Sequence, residues 1–203
     1  MSTKLSLLSP KLTTTFKPAS LADRVMLNSM PGNPYSFSLR RLSLHADIPV
    51  LYKWMNPEYT APLADEALLP LKQAYASILD SDFSWPFIGL ANNIVTCQLE
   101  LCRATQDAVS LCYEVRPGDY SLNILTDPRA NEEEIVGLLS ACIEYFFSFP
   151  EIGRLVASPE AGDREMKKLY RSLGFVWRKK VAALPYKAGD LYFCTRKSVE
   201  EQD

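Results

Sequence analysis

One helical segment constrains the fold of this chain more than any other feature. The sequence NEEEIVGLLSACIEYFFSF, residues 131–149, repeats apolar residues at the spacing of one helix face. Asn131 is suited to cap this helix, Glu134 stands at the capping-box position, and acidic residues fill the first turn. The predicted core stripe consists of Ile135, Leu138, Leu139, Cys142, Phe146 and Phe149. Strand patterns lie on both sides, which predicts an α/β (α+β) domain with a long helix packed on a sheet.

The segments before this helix begin with a hairpin and two helices. RVMLN and YSFSLRRL flank the turn cluster PGNP and predict the hairpin. HADIPVLYKWMN predicts a helix with Pro49 tolerated in its first turn after Asp47, and ALLPLKQAYASILD predicts a second helix.

A strand meander is predicted next. WPFIGL and NNIVTCQLELCRA are separated by a turn at residues 91–93, and VSLCYEV and YSLNILT continue the sheet. The second strand alternates, which predicts two faces. One face contains Val95, Cys97, Leu99 and Leu101, and the other contains Thr96, Gln98, Glu100 and Cys102.

The segments after the long helix predict strand, helix and two closing strands. GRLVASP is the buried strand, and SPEAGDREMKKLYRSLGF contains a helix that stops sharply. Gly174 occupies the position where a helix ends in the left-handed conformation, and Phe175 is placed to pack back on the last turn. FVWRKKVAAL and DLYFCTR are the last two strands.

Composition excludes several classes of protein. The net charge of −2 gives no general attraction for nucleic acid or acidic membranes, and no segment has the apolar length of a membrane span. The five cysteines have no metal-ligand spacing, and four lie in apolar runs, which favours buried thiols in a cytoplasmic protein. A single histidine, His45, argues against a metal site and is expected at the surface or as a helix cap.

The 203 residues are enough for one domain with an appendage. Residues 1–35 are expected to form an N-terminal extension and the first strand, with a basic, Ser/Thr-rich start that docks on the domain or on a partner. Residues 36–203 are expected to form the domain itself.

The order of elements and several motifs resemble a known family. FSLRRLSLHADIPVLYKWMNPEY, PFIG, LEL, DYSLNIL, SPEAGDREMKKLYRSLGF and ALPYK stand in the order and at the spacing of the siderophore-type GNAT acetyltransferases. That family comprises N-hydroxylysine acetyltransferases and related lysine N-acyltransferases, and the resemblance covers roughly residues 36–196. It implies the GNAT fold, a mixed and mostly antiparallel sheet flanked by helices.

The resemblance also implies a site. Acetyl-CoA or another acyl-CoA would lie between two parted strands, with its pyrophosphate at a helix N-terminus and no metal required. Asn123, Ile124, Leu125 and Thr126 would form the splayed strand. Arg129, Ala130 and Asn131 would form the phosphate turn, and Asp163 and Tyr170 would lie along the cofactor. A small-molecule amine or hydroxylamine would be the acceptor, and a homodimer is the oligomeric state considered.

The chain departs from the family at catalytic positions. The family histidine of the splayed strand is Asn123 here, and the expected aspartate before Asp163 is Gly162. In the family's Asp-Phe-Pro-His-Lys stretch the acid is Ala183 and the histidine is Tyr186, whereas Pro185 and Lys187 are kept. Glu132, Glu133 and Glu134 follow the phosphate turn, and carboxylates disfavour a bound pyrophosphate there.

Three residues are the catalytic candidates that remain. Glu100, a carboxylate on a central strand, could serve as the acid/base group, or it could simply pair with Arg103 or another basic residue. Asn123 could orient the acceptor, and Tyr186 could protonate the leaving thiolate or be only a packed ring. Trp54 and Trp85 are expected in the core or in a groove wall.

Trp177-Arg178-Lys179-Lys180 is either a solvated strand edge or, with Lys167, Lys168 and Arg171, a cationic rim for the CoA phosphates.

These residues predict an acyl-CoA-dependent N-acyltransferase that acylates an N-hydroxylated amine such as hydroxylysine. Such a nitrogen is a weaker base than an alkylamine and needs less help from a general base. Two alternatives remain open: a degenerate GNAT protein that only binds a partner or small molecule, and a general GNAT enzyme acting on an ordinary amino group.

Overall fold

The computed structural model describes residues 24–27, 33–60, 62–184 and 187–200. The strands are β1 Val25–Met26, β2 Phe37–Arg41, β3 Ser84–Ala91, β4 Ile94–Arg103, β5 Asp119–Thr126, β6 Arg154–Ala157, β7 Val176–Leu184 and β8 Lys187–Thr195. The helices are α1 Ile48–Met55, α2 Asp65–Asp80, α3 Glu132–Phe147, α4 Arg164–Ser172 and α5 Arg196–Glu200.

The strands form one eight-stranded sheet in the order β1-β2-β3-β4-β5-β6-β8-β7. Every neighbouring pair is antiparallel except β5 and β6, which are parallel and connected through α3. A parallel pair needs such a crossover, because a tight turn joins only antiparallel strands. The predicted mixed, mostly antiparallel sheet flanked by helices is confirmed.

The helices cover the two faces of the sheet and bury separate clusters. On one face, α3 and α4 pack on the larger cluster, which includes Phe87, Leu99 and Phe146. On the other face, α1 and α2 pack on a second cluster, which includes Leu51 and Ile88. The predicted stripe of α3 is confirmed, with Leu138, Leu139, Cys142 and Phe146 buried and Ile135 and Phe149 half-buried.

The β3–β4 hairpin turns at Asn92 and Asn93, whose φ angles are 49° and 68°. Asparagine tolerates this left-handed conformation, and two such residues give the turn that suits a tight hairpin. A bulge then shifts the pairing, since Leu90 is opposite Val95 but Gly89 is opposite Cys97. The alternation predicted for β4 is therefore wrong at Val95, which packs with the α1–α2 cluster, because the bulge inserts one residue.

The predicted strand VSLCYEV is also wrong. Residues Ala108–Cys112 form a 3₁₀ turn, whose first free amide, that of Val109, is capped by the Asp107 carboxylate at 2.8 Å. The apolar side chains of this segment pack instead on the outer strands, where Val109 and Tyr113 join Val181 and Leu191. Consequently β4 pairs directly with β5.

Other predictions for the described residues are confirmed. The first hairpin forms, with Val25 opposite Leu39, although its turn lies partly outside the described residues. Cys97, Cys102, Cys142 and Cys194 are buried free thiols, His45 is exposed, and Trp54 and Trp85 are buried. Residues 1–23, predicted to dock on the domain or on a partner, lie outside the described residues.

Helix α4 ends as the sequence predicts. Gly174 has a φ of 81°, and the Phe175 amide donates to the Tyr170 carbonyl at 3.0 Å. The Phe175 ring packs back on the Tyr170 ring with centroids 5.0 Å apart. The glycine thus turns the chain from α4 into β7, and this turn brings Phe175 into contact with Tyr170.

We predict that Gly174→Ala lowers the free energy of unfolding by about 1–2 kcal/mol, because an L side chain is strained at this φ. Gly162→Ala is the matched control, since a Cβ there meets no atom within 4 Å. Urea denaturation of both variants measures the difference. Equal stability of the two variants would contradict the assigned role of Gly174.

Candidate active site

The sheet opens between β5 and β6. Their parallel pairing spans only three positions and ends at Ser121 and Val156. Beyond this point β5 continues to Thr126, while the chain after β6 turns away and bridges to β8 at Glu160 and Gly189. The segment from Leu122 to Thr126 is paired with β4 on one side only. The splayed strand implied by the family resemblance is therefore present.

Tyr170 reaches the inner end of this opening from α4. Its hydroxyl donates to the Leu122 carbonyl at 3.0 Å, and its side chain is buried. Burial raises the pKa of Tyr170 well above its usual value, and the nearby Asp163 charge adds to the effect. Tyr170 therefore keeps its proton at neutral pH and stands at one of the unpaired positions of β5.

Asp163 has a structural role in this arrangement. Its carboxylate accepts from the Met166 amide at 2.9 Å and caps α4. The cap sets the start of the helix that carries Tyr170. Asp163 thus supports the opening, on the side where the resemblance placed it.

The turn between β5 and α3 is held by hydrogen bonds among its own residues. Asp127 is buried and accepts from the Arg129 amide at 2.9 Å and from the Arg129 guanidinium at 2.9 and 3.0 Å. This partner lowers the pKa of Asp127. The Ala130 amide donates to the Asp127 carbonyl. Two of the three amides expected to hold phosphate are therefore already bonded within the turn.

Asn131 caps α3 as predicted, because its side chain accepts from the Glu133 amide at 2.8 Å. A helix leaves its first four amides without helical partners, so one cap leaves others to a ligand or to water. The capping box is not formed among the described residues, since the Glu134 carboxylate accepts from Thr96 at 3.2 Å.

Glu132 and Lys168 meet across the mouth of the opening. Their side chains, from α3 and α4, form an ion pair of 2.6 Å and are both exposed. The pair raises the pKa of Lys168. With Glu132 held by Lys168 and Glu134 held by Thr96, two of the three carboxylates of the first turn are turned toward protein partners.

The predicted cationic rim is largely occupied by protein partners. Lys167 pairs with Asp190, and Arg171 donates to the Tyr192 hydroxyl at 3.2 Å. The strand that carries Trp177 is the last of the sheet, so the solvated-edge interpretation holds for β7.

Glu100 and Asn123 lie opposite each other on the α1–α2 face. They are directly paired between β4 and β5, a position at which Cβ atoms lie about 4.5–5.5 Å apart. Asn123 is exposed, whereas Glu100 is half-buried. The two side chains are therefore neighbours on this face of the sheet, with Asn123 on the strand that borders the opening.

Glu100 has no cationic partner within ion-pair distance among the described residues, so the alternative in which it pairs with Arg103 or another basic residue is not realised there. Its carboxylate accepts from the Ser84 hydroxyl at 2.8 Å. Burial raises the pKa of Glu100; the Ser84 bond opposes this shift, and the Asp107 charge adds to it. A carboxylate with a raised pKa in an open site is suited to proton transfer near neutral pH.

Sequence reasoning missed two further residues, Tyr75 near Glu100 and Ser158 after β6. Tyr75 of α2 is buried near Glu100, and burial, together with the Glu100 charge, raises its pKa to about 12. Ser158 directly follows β6, where the chain is no longer paired with β5. The Ser158 hydroxyl oxygen is buried and has no hydrogen-bond partner in the described part of the chain. Neither residue carries a sequence signal, because Tyr75 reaches Glu100 only through the tertiary packing of α2, and Ser158 lies in the segment after β6.

Tyr186, the third catalytic candidate, lies outside the described residues. Among the described residues, no group of side chains has the composition of a metal site, and no helix is long and apolar enough to span a membrane.

The fold is shared with several solved structures. An uncharacterised protein from Bacillus halodurans matches with a TM-score of 0.75 and 21% identity over 88% of this chain and 93% of its own. An aminoglycoside acetyltransferase in complex with coenzyme A has a TM-score of 0.67 and 20% identity over 82% of this chain and 98% of its own.

A spermidine N-acetyltransferase chimera from Vibrio cholerae has a TM-score of 0.60 and 13% identity, with 81% of this chain and 98% of its own covered. A comparison with curated protein sequences finds no match.

A family model provides the assignment. The model for the acetyltransferase (GNAT) domain matches residues 43–183, which is more than half of the chain and includes the opening, the helix α3 start and Glu100. The chain therefore belongs to the GNAT acetyltransferase domain family.

Proposed function

We propose that this protein transfers an acyl group from acetyl-CoA or another acyl-CoA to the nitrogen of a small-molecule amine. The observation that carries the proposal is the loss of β5–β6 pairing after Ser121, which leaves backbone groups of β5 facing an opening that leads to the start of α3. Solved neighbours with this fold include acetyltransferases described with coenzyme A and acetyl-CoA.

The residues fit such a donor in two places. The unpaired edge of β5 between Leu122 and Thr126 presents main-chain donors and acceptors to an amide-bearing arm. The first-turn amides of α3 that are not used by Asn131 present donors to phosphate. The thioester supplies the electrophilic carbonyl and a thiolate leaving group.

The proposed proton acceptor lies on the face of the sheet that α1 and α2 cover. As the acceptor nitrogen forms its bond to the carbonyl carbon and the carbon–sulfur bond breaks, the nitrogen loses a proton and the sulfur keeps the electron pair. In this proposal Glu100 takes that proton and Asn123 orients the nitrogen; their direct pairing and the raised pKa of Glu100 support these roles. Tyr170 holds a proton at the opposite side of the opening.

For the acceptor we propose an N-hydroxylated amine of the siderophore-biosynthesis type. No histidine stands in the described site, and Glu100 is its one carboxylate with a raised pKa. A weakly basic nitrogen is largely unprotonated at neutral pH, so it suits a site with few candidate general bases. The aminoglycoside and spermidine neighbours favour the ordinary amine as the second candidate.

We predict release of free thiol from acetyl-CoA when an acceptor is present, with faster turnover of N-hydroxylysine than of lysine. Thiol detection and mass measurement of the acylated product report the reaction. Faster turnover of lysine would move the assignment to an ordinary amine. Binding of acetyl-CoA without product from either acceptor would favour the non-catalytic alternative.

We predict that Glu100→Gln lowers kcat/KM by about 10²–10⁴-fold and raises the thermal midpoint at neutral pH. The raised pKa means that the fold disfavours the ionised carboxylate, so stability falls as the pH rises from the ordinary pKa of glutamate to the raised pKa of Glu100 in the folded protein, and the full cost is present above it. The increase in thermal midpoint should disappear below about pH 4, where the Glu100 carboxyl is protonated in both the folded and the unfolded state.

Exposed Glu114 provides the control, because Glu114→Gln should change neither quantity. A Glu100→Gln variant that loses stability and keeps full activity would show that Glu100 is only a structural group.

We predict that Glu132→Gln tightens acetyl-CoA binding by about 2- to 5-fold, because it removes a negative charge from the α3 start and releases Lys168. Calorimetric titration measures the dissociation constant. Glu144→Gln removes the same charge near the far end of α3 and should have no effect. Weaker binding in Glu132→Gln would place the phosphates elsewhere.

A further inference from the structure

A cavity of about 660 Å³ lies between α1, the loop that follows it, and the turn that precedes α3. Its volume is in the range of small-molecule sites. The residues that define its chemistry are Lys53, Trp54, Pro57, Tyr59, Pro128 and Arg129. None of them was a predicted acceptor residue.

The walls of this cavity are rigid and largely apolar. Pro57 and Pro128 restrict the backbone on two sides, and Trp54 is only 7% exposed and therefore fixed by packing. Trp54 and Tyr59 add aromatic surface, and the Tyr59 ring is held edge-on against Tyr52 with centroids 5.5 Å apart. Such walls suit an aliphatic or planar body.

The charge on the lining is positive. Lys53 and Arg129 are its charged residues, and no carboxylate lines it among the described residues. Arg129 is compensated by Asp127, whereas Lys53 is exposed and has no ion-pair partner in the described part of the chain. The unpaired ammonium favours an anionic group and disfavours a second cationic one.

The cavity and the Glu100–Asn123 pair share one face of the sheet. Trp54 packs in the cluster under α1 and α2, where Leu125, two residues after Asn123, also packs. From Asn123 the chain runs along β5 to Pro128, a distance of roughly 10–15 Å at the rise of a strand. One extended molecule can therefore reach both places.

We propose that the acceptor is an elongated amine with an apolar middle and an anionic group at its far end, which binds Lys53 in this cavity. The proposal rests on the proposed function, because it assumes that the reacting nitrogen lies at Glu100 and Asn123. It excludes polycations as preferred acceptors.

The test uses ω-amino carboxylates and diamines of matched length, from about six to about twelve carbons, which span roughly the required distance. Each compound is supplied in the nitrogen form, amine or N-hydroxyamine, that supports turnover. The ω-amino carboxylates should have KM values about 2- to 5-fold lower than the matched diamines, with the largest advantage in the longer chains. Lys53→Glu should reverse the preference with little change in kcat.

Lys180→Glu, on the edge strand β7, is the matched charge reversal and should leave the preference unchanged. Calorimetric titration of the same compounds separates this inference from the proposed function. Lys53-dependent binding without turnover would support ligand binding in the cavity and contradict the proposed acyltransferase activity. Turnover with no preference for the carboxylates, or a preference unaffected by Lys53→Glu, would overturn the inference.

Discussion

The site depends on one interruption of backbone pairing. Parallel strands β5 and β6 separate after Ser121 and Val156, so the sheet gives up hydrogen bonds in its middle, where such groups are normally satisfied. Tyr170 compensates part of this loss by bonding the Leu122 carbonyl. Its helix is in turn held by the Asp163 cap and ended by Gly174. The edge of β5 beyond the Leu122 and Ile124 groups that contact Tyr170 stays available to a ligand with amide groups.

The acidic start of α3 has two consequences. Its carboxylates stabilise the helix through the macrodipole, and they compete with any phosphate for the same end. The structure reduces the conflict by pairing Glu132 with Lys168 and bonding Glu134 to Thr96. The Asp127–Arg129 turn adds to the competition, because it uses amides that a phosphate would otherwise receive. Donor binding by this chain is therefore expected to depend on the β5 edge more than on the phosphate turn.

Local patterns predicted most of the fold. The α3 stripe, the Asn92–Asn93 turn and the Gly174 helix end are set by residues close in sequence. The errors arose where tertiary contacts determine the local structure. The bulge before Cys97 moved the Val95 side chain to the other face of β4. The Asp107 cap and packing on the outer strands made a 3₁₀ turn of the segment predicted as a strand. Glu100 and Asn123 were predicted as site residues, but their direct pairing follows only from the sheet register, and the position of Tyr75 near Glu100 only from the packing of α2.

The central claim is that an acyl-CoA binds along the unpaired half of β5 and at the first turn of α3. Hydrogen exchange with and without saturating acetyl-CoA tests it most directly. The account predicts new amide protection at residues 122–126 and at the start of α3, with no change in the β3–β4 hairpin. Unchanged exchange at both places, or protection confined to another part of the molecule, would contradict it.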